Sequence, residues 1–114
     1  MKRILCIDGG GAKGIIPAVV LTRIEALTGQ QICDLFDLVV GSSVGAIVGG
    51  MLATGRLSAG ELMVVMLKTL PEMFRRRPWP LLPKYDRLPF VKACNACLGP
   101  GVRMATCRTR FICT

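Results

Sequence analysis

The sequence has 114 residues, enough for one domain at most, and 52% of them are hydrophobic while only 5% are aromatic. The net charge is +8, but no aromatic platform is interleaved with the basic residues, which argues against nucleic-acid binding. Histidine is absent from the chain, which excludes a Ser-His-Asp triad and any histidine-based general acid or base within it.

No stretch has the composition of a secretory signal or a membrane span. The apolar run that begins at Ile4 is interrupted by Asp8 and is too short for a signal peptide. The apolar stretch from Leu35 to Ala53 contains one acid, two serines and four glycines, which disfavours a membrane helix. We therefore expect a cytoplasmic protein with reduced cysteines, and its positive charge would favour peripheral contact with an anionic membrane.

The first half of the chain alternates between strand and helix patterns. The apolar run from Arg3 to Ile7 is typical of a buried parallel strand, and a glycine loop follows it. Apolar periodicity then predicts a helix over residues 15–27, which Gly29 should end. A short turn at residues 34–36 precedes a second apolar strand at residues 38–40. Together with the aliphatic composition and 13 glycines, this order predicts an α/β fold with a parallel sheet.

A second helix should begin at Val44 and end at Thr54-Gly55. The tetrad Ser58-Ala59-Gly60-Glu61 has the form of a capping box and predicts a further helix that ends near Pro71 or shortly beyond. We assign residues 1–74 to a core that carries the sequence motifs.

Residues 75–90 form a basic, proline-rich connection, which we interpret either as a surface loop or as a membrane-facing lid that carries Trp79. The tail, residues 91–114, contains four of the six cysteines and ends in a predicted strand at residues 110–114. Its Cys94-x-x-Cys97 pair lacks a second pair at zinc-ribbon spacing, so we expect no metal site there.

The segment Gly41-Ser42-Ser43-Val44-Gly45 matches G-x-S-x-G, the pattern of a nucleophile elbow. In such an elbow a strand turns sharply into a helix, and Ser43 at the centre would be the nucleophile. A Cβ at Gly41 or Gly45 would collide with the neighbouring strand or helix. The positive end of the helix that begins at Val44 would favour negative charge near the serine. The alternative is an ordinary Gly/Ser turn that opens a packed helix.

The loop from Asp8 to Gly14 matches G-x-G-x-x-G between a strand and a helix, the fingerprint of dinucleotide binding, and Asp34 lies at the spacing of a ribose-binding acid. The same glycines could instead form an oxyanion hole. The backbone N–H groups of the loop glycines would then act together with that of Val44, the residue after the nucleophile. Loops at the carboxyl ends of neighbouring parallel strands face one crevice, and the oxyanion interpretation explains both motifs.

At these residues the sequence resembles the patatin-like phospholipase family. The resemblance implies a three-layer α/β/α fold with a mainly parallel sheet and hydrolysis of lipid acyl esters by a Ser-Asp dyad, without a cofactor or metal. Carried over by position, it makes Ser43 the nucleophile and gives the oxyanion loop and its supporting residues. These are Gly9, Gly10 and Gly11 with Val44 as donors, and Asp8, Lys13, Gly14, Gly41 and Gly45 as support.

One family feature is missing from the chain. The dyad aspartate of the family lies in a D-G-G or D-G-A motif after the nucleophile, whereas Asp86, the only acid after Glu72, is followed by arginine. We therefore interpret the chain as the N-terminal part of a patatin-like domain. Three hypotheses follow: a serine hydrolase acting on phospholipid or another lipid ester, a nucleotide-binding fragment that uses Gly9, Gly11 and Gly14, and an inactive lipid-binding remnant.

Overall fold

The computed structural model describes residues 1–75 and 87–114. Three short apolar segments form a parallel sheet in the order β1-β2-β3, where β1 is Ile4–Ile7, β2 is Leu38–Gly41 and β3 is Arg110–Cys113. The last residues of the three strands lie side by side, because Gly41 pairs with both Ile7 and Cys113. The loops that follow β1 and β2 therefore leave the sheet at the same edge.

Helices connect the strands, and 3₁₀ turns occupy Gly11–Gly14 and Met104–Thr106. The helices are α1 (Ile15–Thr28), α2 (Ile32–Leu35), α3 (Val44–Ala53), α4 (Ala59–Met73) and α5 (Leu88–Leu98). Within the described ranges, no helix has both the length and the apolar character needed to cross a membrane.

Two predicted helix boundaries have the expected local causes. Gly29 ends α1 in the left-handed conformation, with φ 67°, and its N–H donates to the carbonyl of Glu25. At the start of α4 the capping box is complete, because Ser58 accepts the Glu61 N–H while the Glu61 carboxylate accepts the Ser58 N–H.

The described structure differs from the sequence prediction at the end of the proline-rich segment, residues 75–90. The structure starts α5 at Leu88, so Pro89 lies in the first helical turn, where the missing N–H of proline costs no hydrogen bond. The predicted membrane-facing lid with Trp79 lies outside the described residues.

Helix α3 packs directly on the sheet and forms the centre of the core. A Cβ at Gly49 would approach Val39 Cγ1 to 2.9 Å, so the glycine lets the helix lie close to β2. The largest fully buried side chains are Ile32, Val39, Val48, Leu52 and Leu62. The core therefore lies between the sheet and α3, and it extends to α1, α2 and α4.

The two faces of the sheet differ in burial. Leu5, Val39 and Phe111 are paired across the strands and face the core. Side chains alternate along a strand, so Ile4 and Ile112 lie on the opposite face, where they are 58% and 48% exposed. The predicted α/β fold with a parallel sheet is confirmed. Within the described residues the covered face is the one that packs on α3, and the second outer layer of an α/β/α arrangement is not found there.

Candidate active site

Ser43 lies at the sharp turn between β2 and α3. Its φ of 49° and ψ of −124° make it the only non-glycine residue with positive φ in the described part of the chain. A conformation of this kind costs about 1 to 3 kcal/mol and persists only where the surrounding structure enforces it. The residue is exposed. The strained, exposed serine between a strand and a helix has the geometry predicted for a nucleophile elbow.

The glycines that flank this turn leave no room for a side chain. A Cβ at Gly41 would lie 2.6 Å from Ala46 Cα, in the first turn of α3. A Cβ at Gly45 would lie 2.7 Å from the carbonyl oxygen of Asp8, just after β1. The collisions expected from the sequence are therefore present at both positions, and they involve backbone atoms that cannot move aside easily.

The glycine loop contacts the elbow at both of its ends. A Cβ at Gly9 would lie 3.0 Å from Ser43 Cβ, and a Cβ at Gly14 would lie 2.7 Å from Val44 Cγ2. Between these contacts, Gly11 adopts φ 59°, a conformation that other residues rarely adopt. The two sequence motifs therefore form one continuous surface at the carboxyl edge of the sheet.

Among the backbone N–H groups of the glycine loop and the elbow, some already donate a hydrogen bond and others do not. The Gly9 N–H donates to Ser42 Oγ at 3.0 Å, which removes it from the set of free donors that the sequence suggested. The N–H groups of Gly10, Gly11 and Val44 have no acceptor within residues 1–75 and 87–114. Unpaired backbone N–H groups are the kind of donor that oxyanion holes use.

Most acids of the described chain are bonded to groups other than Ser43. Asp37 accepts Lys2 Nζ at 2.8 Å, a contact that lowers the pKa of the Asp37 carboxyl. Glu25 accepts the N–H groups of Ile32 and Ala59 at 3.0 and 2.7 Å and so links the starts of α2 and α4. No described residue hydrogen-bonds the Ser43 hydroxyl, so these contacts supply no general base.

Asp34, the predicted ribose-binding acid, does not lie near the glycine loop. It belongs to α2, which precedes β2, and therefore lies at the amino end of the strands. There its carboxylate pairs with Arg108 at 2.6 Å. Dinucleotides bind at the carboxyl ends of the strands in such sheets, so the spacing of Asp34 does not support nucleotide binding.

The remaining predicted residues are exposed or distant from the elbow. Asp8 and Lys13 are exposed in the glycine loop, where Lys13 lies in the 3₁₀ turn. Cys94 and Cys97 lie on α5, and burial raises the pKa of both thiols. Among the residues that the structure describes, no group of three or more potential metal ligands is found.

Sequence reasoning missed one residue of the site. Ser42 is a variable position of the G-x-S-x-G pattern, yet its hydroxyl accepts the N–H of Gly9, the first glycine of the loop. A hydroxyl residue beside the elbow serine is the available signal, but the Gly9 contact depends on how β1 and β2 pair.

Comparison with known proteins finds sequence similarity over most of the chain. The model of the patatin-like phospholipase family matches residues 5–105. The chain belongs to the patatin-like phospholipase family. It is 33% identical over 119 aligned positions to patatin-like protein 2 of Arabidopsis thaliana, an alignment that covers 84% of this chain and 29% of that protein.

Bacterial members of the patatin-like family are similar as well. A cGAMP-activated phospholipase of Vibrio cholerae is 32% identical over 117 aligned positions, covering 85% of this chain and 33% of that protein. A cUMP-AMP-activated phospholipase of Escherichia coli is 49% identical over 53 residues, covering 46% of this chain and 17% of that protein. The chain therefore spans about a third or less of the length of these relatives.

Proposed function

We propose that this chain carries the nucleophile and the oxyanion hole of a serine acyl hydrolase that cleaves a phospholipid or a related lipid ester. The observations that carry the proposal are the strained, exposed Ser43 in an elbow that contacts the glycine loop, and the unpaired N–H groups of Gly10, Gly11 and Val44. Membership of the patatin-like phospholipase family supports the choice of a lipid ester as substrate.

In the proposed reaction, Ser43 Oγ attacks the ester carbonyl carbon while its proton passes to a base. The carbonyl π electrons move onto oxygen, where the three N–H groups would stabilise the negative charge. The alcohol then leaves with a proton, and water hydrolyses the acyl-serine to release the fatty acid. A serine hydroxyl without a base is a weak nucleophile. We propose that the base is an aspartate that does not belong to this chain, since Asp86 lacks the family's D-G-G or D-G-A context.

The net charge of +8 supports a membrane surface as the place where the substrate is met. Attraction of this kind is electrostatic and weakens when salt screens the charges. Binding to vesicles that contain anionic lipid should therefore decrease as salt is raised, which a flotation assay measures.

The proposal is tested by intact-mass spectrometry after prolonged exposure of the chain to a fluorophosphonate. Oxyanion-hole donors alone still accelerate attack by a serine that has no base, so Ser43 should react slowly even in this chain. We expect one adduct on the chain and none on Ser43→Ala. The matched control is Ser58→Thr, which alters another serine yet keeps the hydroxyl that caps α4. An adduct that persists in Ser43→Ala, or a chain that is never modified, would contradict the proposal.

A further inference from the structure

Ser42 is bonded on either side of Asp8, once to the end of β1 and once to the glycine loop. Its N–H donates to the carbonyl of Ile7 at 3.1 Å, and its Oγ accepts the N–H of Gly9 at 3.0 Å. The first bond continues the pairing of β1 with β2, whereas the second depends on the side chain. The hydroxyl of Ser42 therefore fixes the direction in which the loop leaves β1.

The glycine loop needs such a restraint. Three consecutive glycines, Gly9 to Gly11, have more conformational freedom than any other tripeptide, and an oxyanion hole works only if its donors are already in place. The Ser42 hydroxyl accepts the first N–H of this run. The following N–H groups, those of Gly10 and Gly11, are the ones left unpaired among the described residues.

The restraint acts close to the nucleophile. Gly9 lies so near Ser43 that an added Cβ would approach Ser43 Cβ to 3.0 Å. A rotation of the Gly9 peptide would therefore change the position of the loop donors relative to Ser43. We propose that Ser42 is a positioning residue, whose hydroxyl holds the oxyanion loop in register with the nucleophile. This inference rests on the proposed function of Ser43 and adds a second serine to that site.

Two substitutions separate the hydroxyl from the rest of the side chain. Ser42→Ala removes the acceptor for the Gly9 N–H, and Ser42→Thr keeps it. We expect Ser42→Ala to lower the maximal rate of fluorophosphonate modification about tenfold to a hundredfold, the range for a small misplacement of catalytic groups, with reagent affinity unchanged. Ser42→Thr should restore the rate to within about threefold, because its hydroxyl can accept the same bond.

A second measurement does not depend on reactivity. Hydrogen exchange of the Gly9 amide, followed by NMR, should be slow in the chain and in Ser42→Thr and faster in Ser42→Ala. The positioning role is overturned if Ser42→Ala is modified at the original rate, if Ser42→Thr reacts as slowly as Ser42→Ala, or if the Gly9 amide exchanges equally in all three. Modification that is lost in Ser43→Ala but insensitive to Ser42 would leave the proposed function standing. A chain that is not modified at all would overturn both.

Discussion

Gly45 and Gly60 are both helical glycines near a helix start, but their surroundings differ. A Cβ on Gly45 would collide with the backbone carbonyl groups of Ile7 and Asp8, at the end of β1. A Cβ on Gly60 would lie 3.6 Å from Thr22 Cγ2, an ordinary van der Waals distance. The first glycine is required by the contact between the elbow and the glycine loop, whereas the second is not required by packing.

The two positions give a matched test of the elbow geometry. We expect Gly45→Ala to lower the free energy of unfolding by more than about 2 kcal/mol, because overpacking against backbone cannot be relieved by a rotamer change. Gly60→Ala should leave it unchanged or raise it by up to about 1 kcal/mol, because alanine favours the helix. Urea unfolding measures both changes. Equal effects at the two positions would mean that the elbow does not contact β1 as described.

At the start of α4, the stabilising capping box depends on the ionised side chain of one exposed acid, Glu61. The N–H and hydroxyl of Ser58 both donate to the Glu61 carboxylate, and these bonds lower the pKa of Glu61 below its ordinary value of 4.5. Because the folded chain holds this proton less readily than the unfolded chain, the contribution to stability is present above pH 4.5. It is lost as the pH falls through the lowered pKa.

We expect the free energy of unfolding to fall between pH 6 and pH 3, and the fall to be smaller in Glu61→Gln, which has no carboxylate to protonate. Glu72→Gln is the matched control on α4, because no hydrogen bond holds the Glu72 side chain in the described structure. Urea unfolding at each pH measures the effect. If Glu61→Gln showed the same pH dependence of stability as the unaltered chain, the Glu61 carboxylate would not stabilise α4 as described.

Sequence features that act within one helical turn predicted the helix boundaries. The contacts that the sequence did not predict join residues that are distant in the chain. Gly29 and the Ser58–Glu61 box act within one turn, so the sequence revealed them directly. The Gly9–Ser42 bond joins residues 33 apart and requires the register of β1 against β2. Asp34 is the opposite case. Its spacing from the glycine loop matches a nucleotide site, but the acid precedes β2 and therefore lies at the other end of the strands.

At the scale of the molecule, residues 1–75 and 87–114 cover one face of the sheet with helices and leave the other face more exposed. Ile4 and Ile112 lie on the exposed face, whereas Val39, on the covered face, has no exposed area. Exposed apolar patches on a sheet favour association with other molecules. The faces should therefore respond differently to a polar residue of similar shape.

We expect the double variant Ile4→Thr, Ile112→Thr to bind less of a hydrophobic dye and to aggregate more slowly. Each exposed substitution should change the free energy of unfolding by less than about 0.5 kcal/mol. Val39→Thr is the control on the opposite face and should lower it by about 1 to 3 kcal/mol, since it buries a hydroxyl. Dye fluorescence, light scattering and urea unfolding measure these outcomes. Similar destabilisation at all three positions would show that both faces are buried in solution.

The strand order also determines when each strand can pair while the chain is being synthesised. The residues of β2 pair with residues of β1 that lie 34 positions earlier and with residues of β3 that lie 72 positions later. A ribosome adds about 5 to 20 residues per second, so about 4 to 14 s separate the appearance of β2 from that of β3. The elbow and the glycine loop can meet in that interval, while the other edge of β2 has no partner. The nascent chain is then most exposed to wrong strand pairing, which is when a chaperone would matter most.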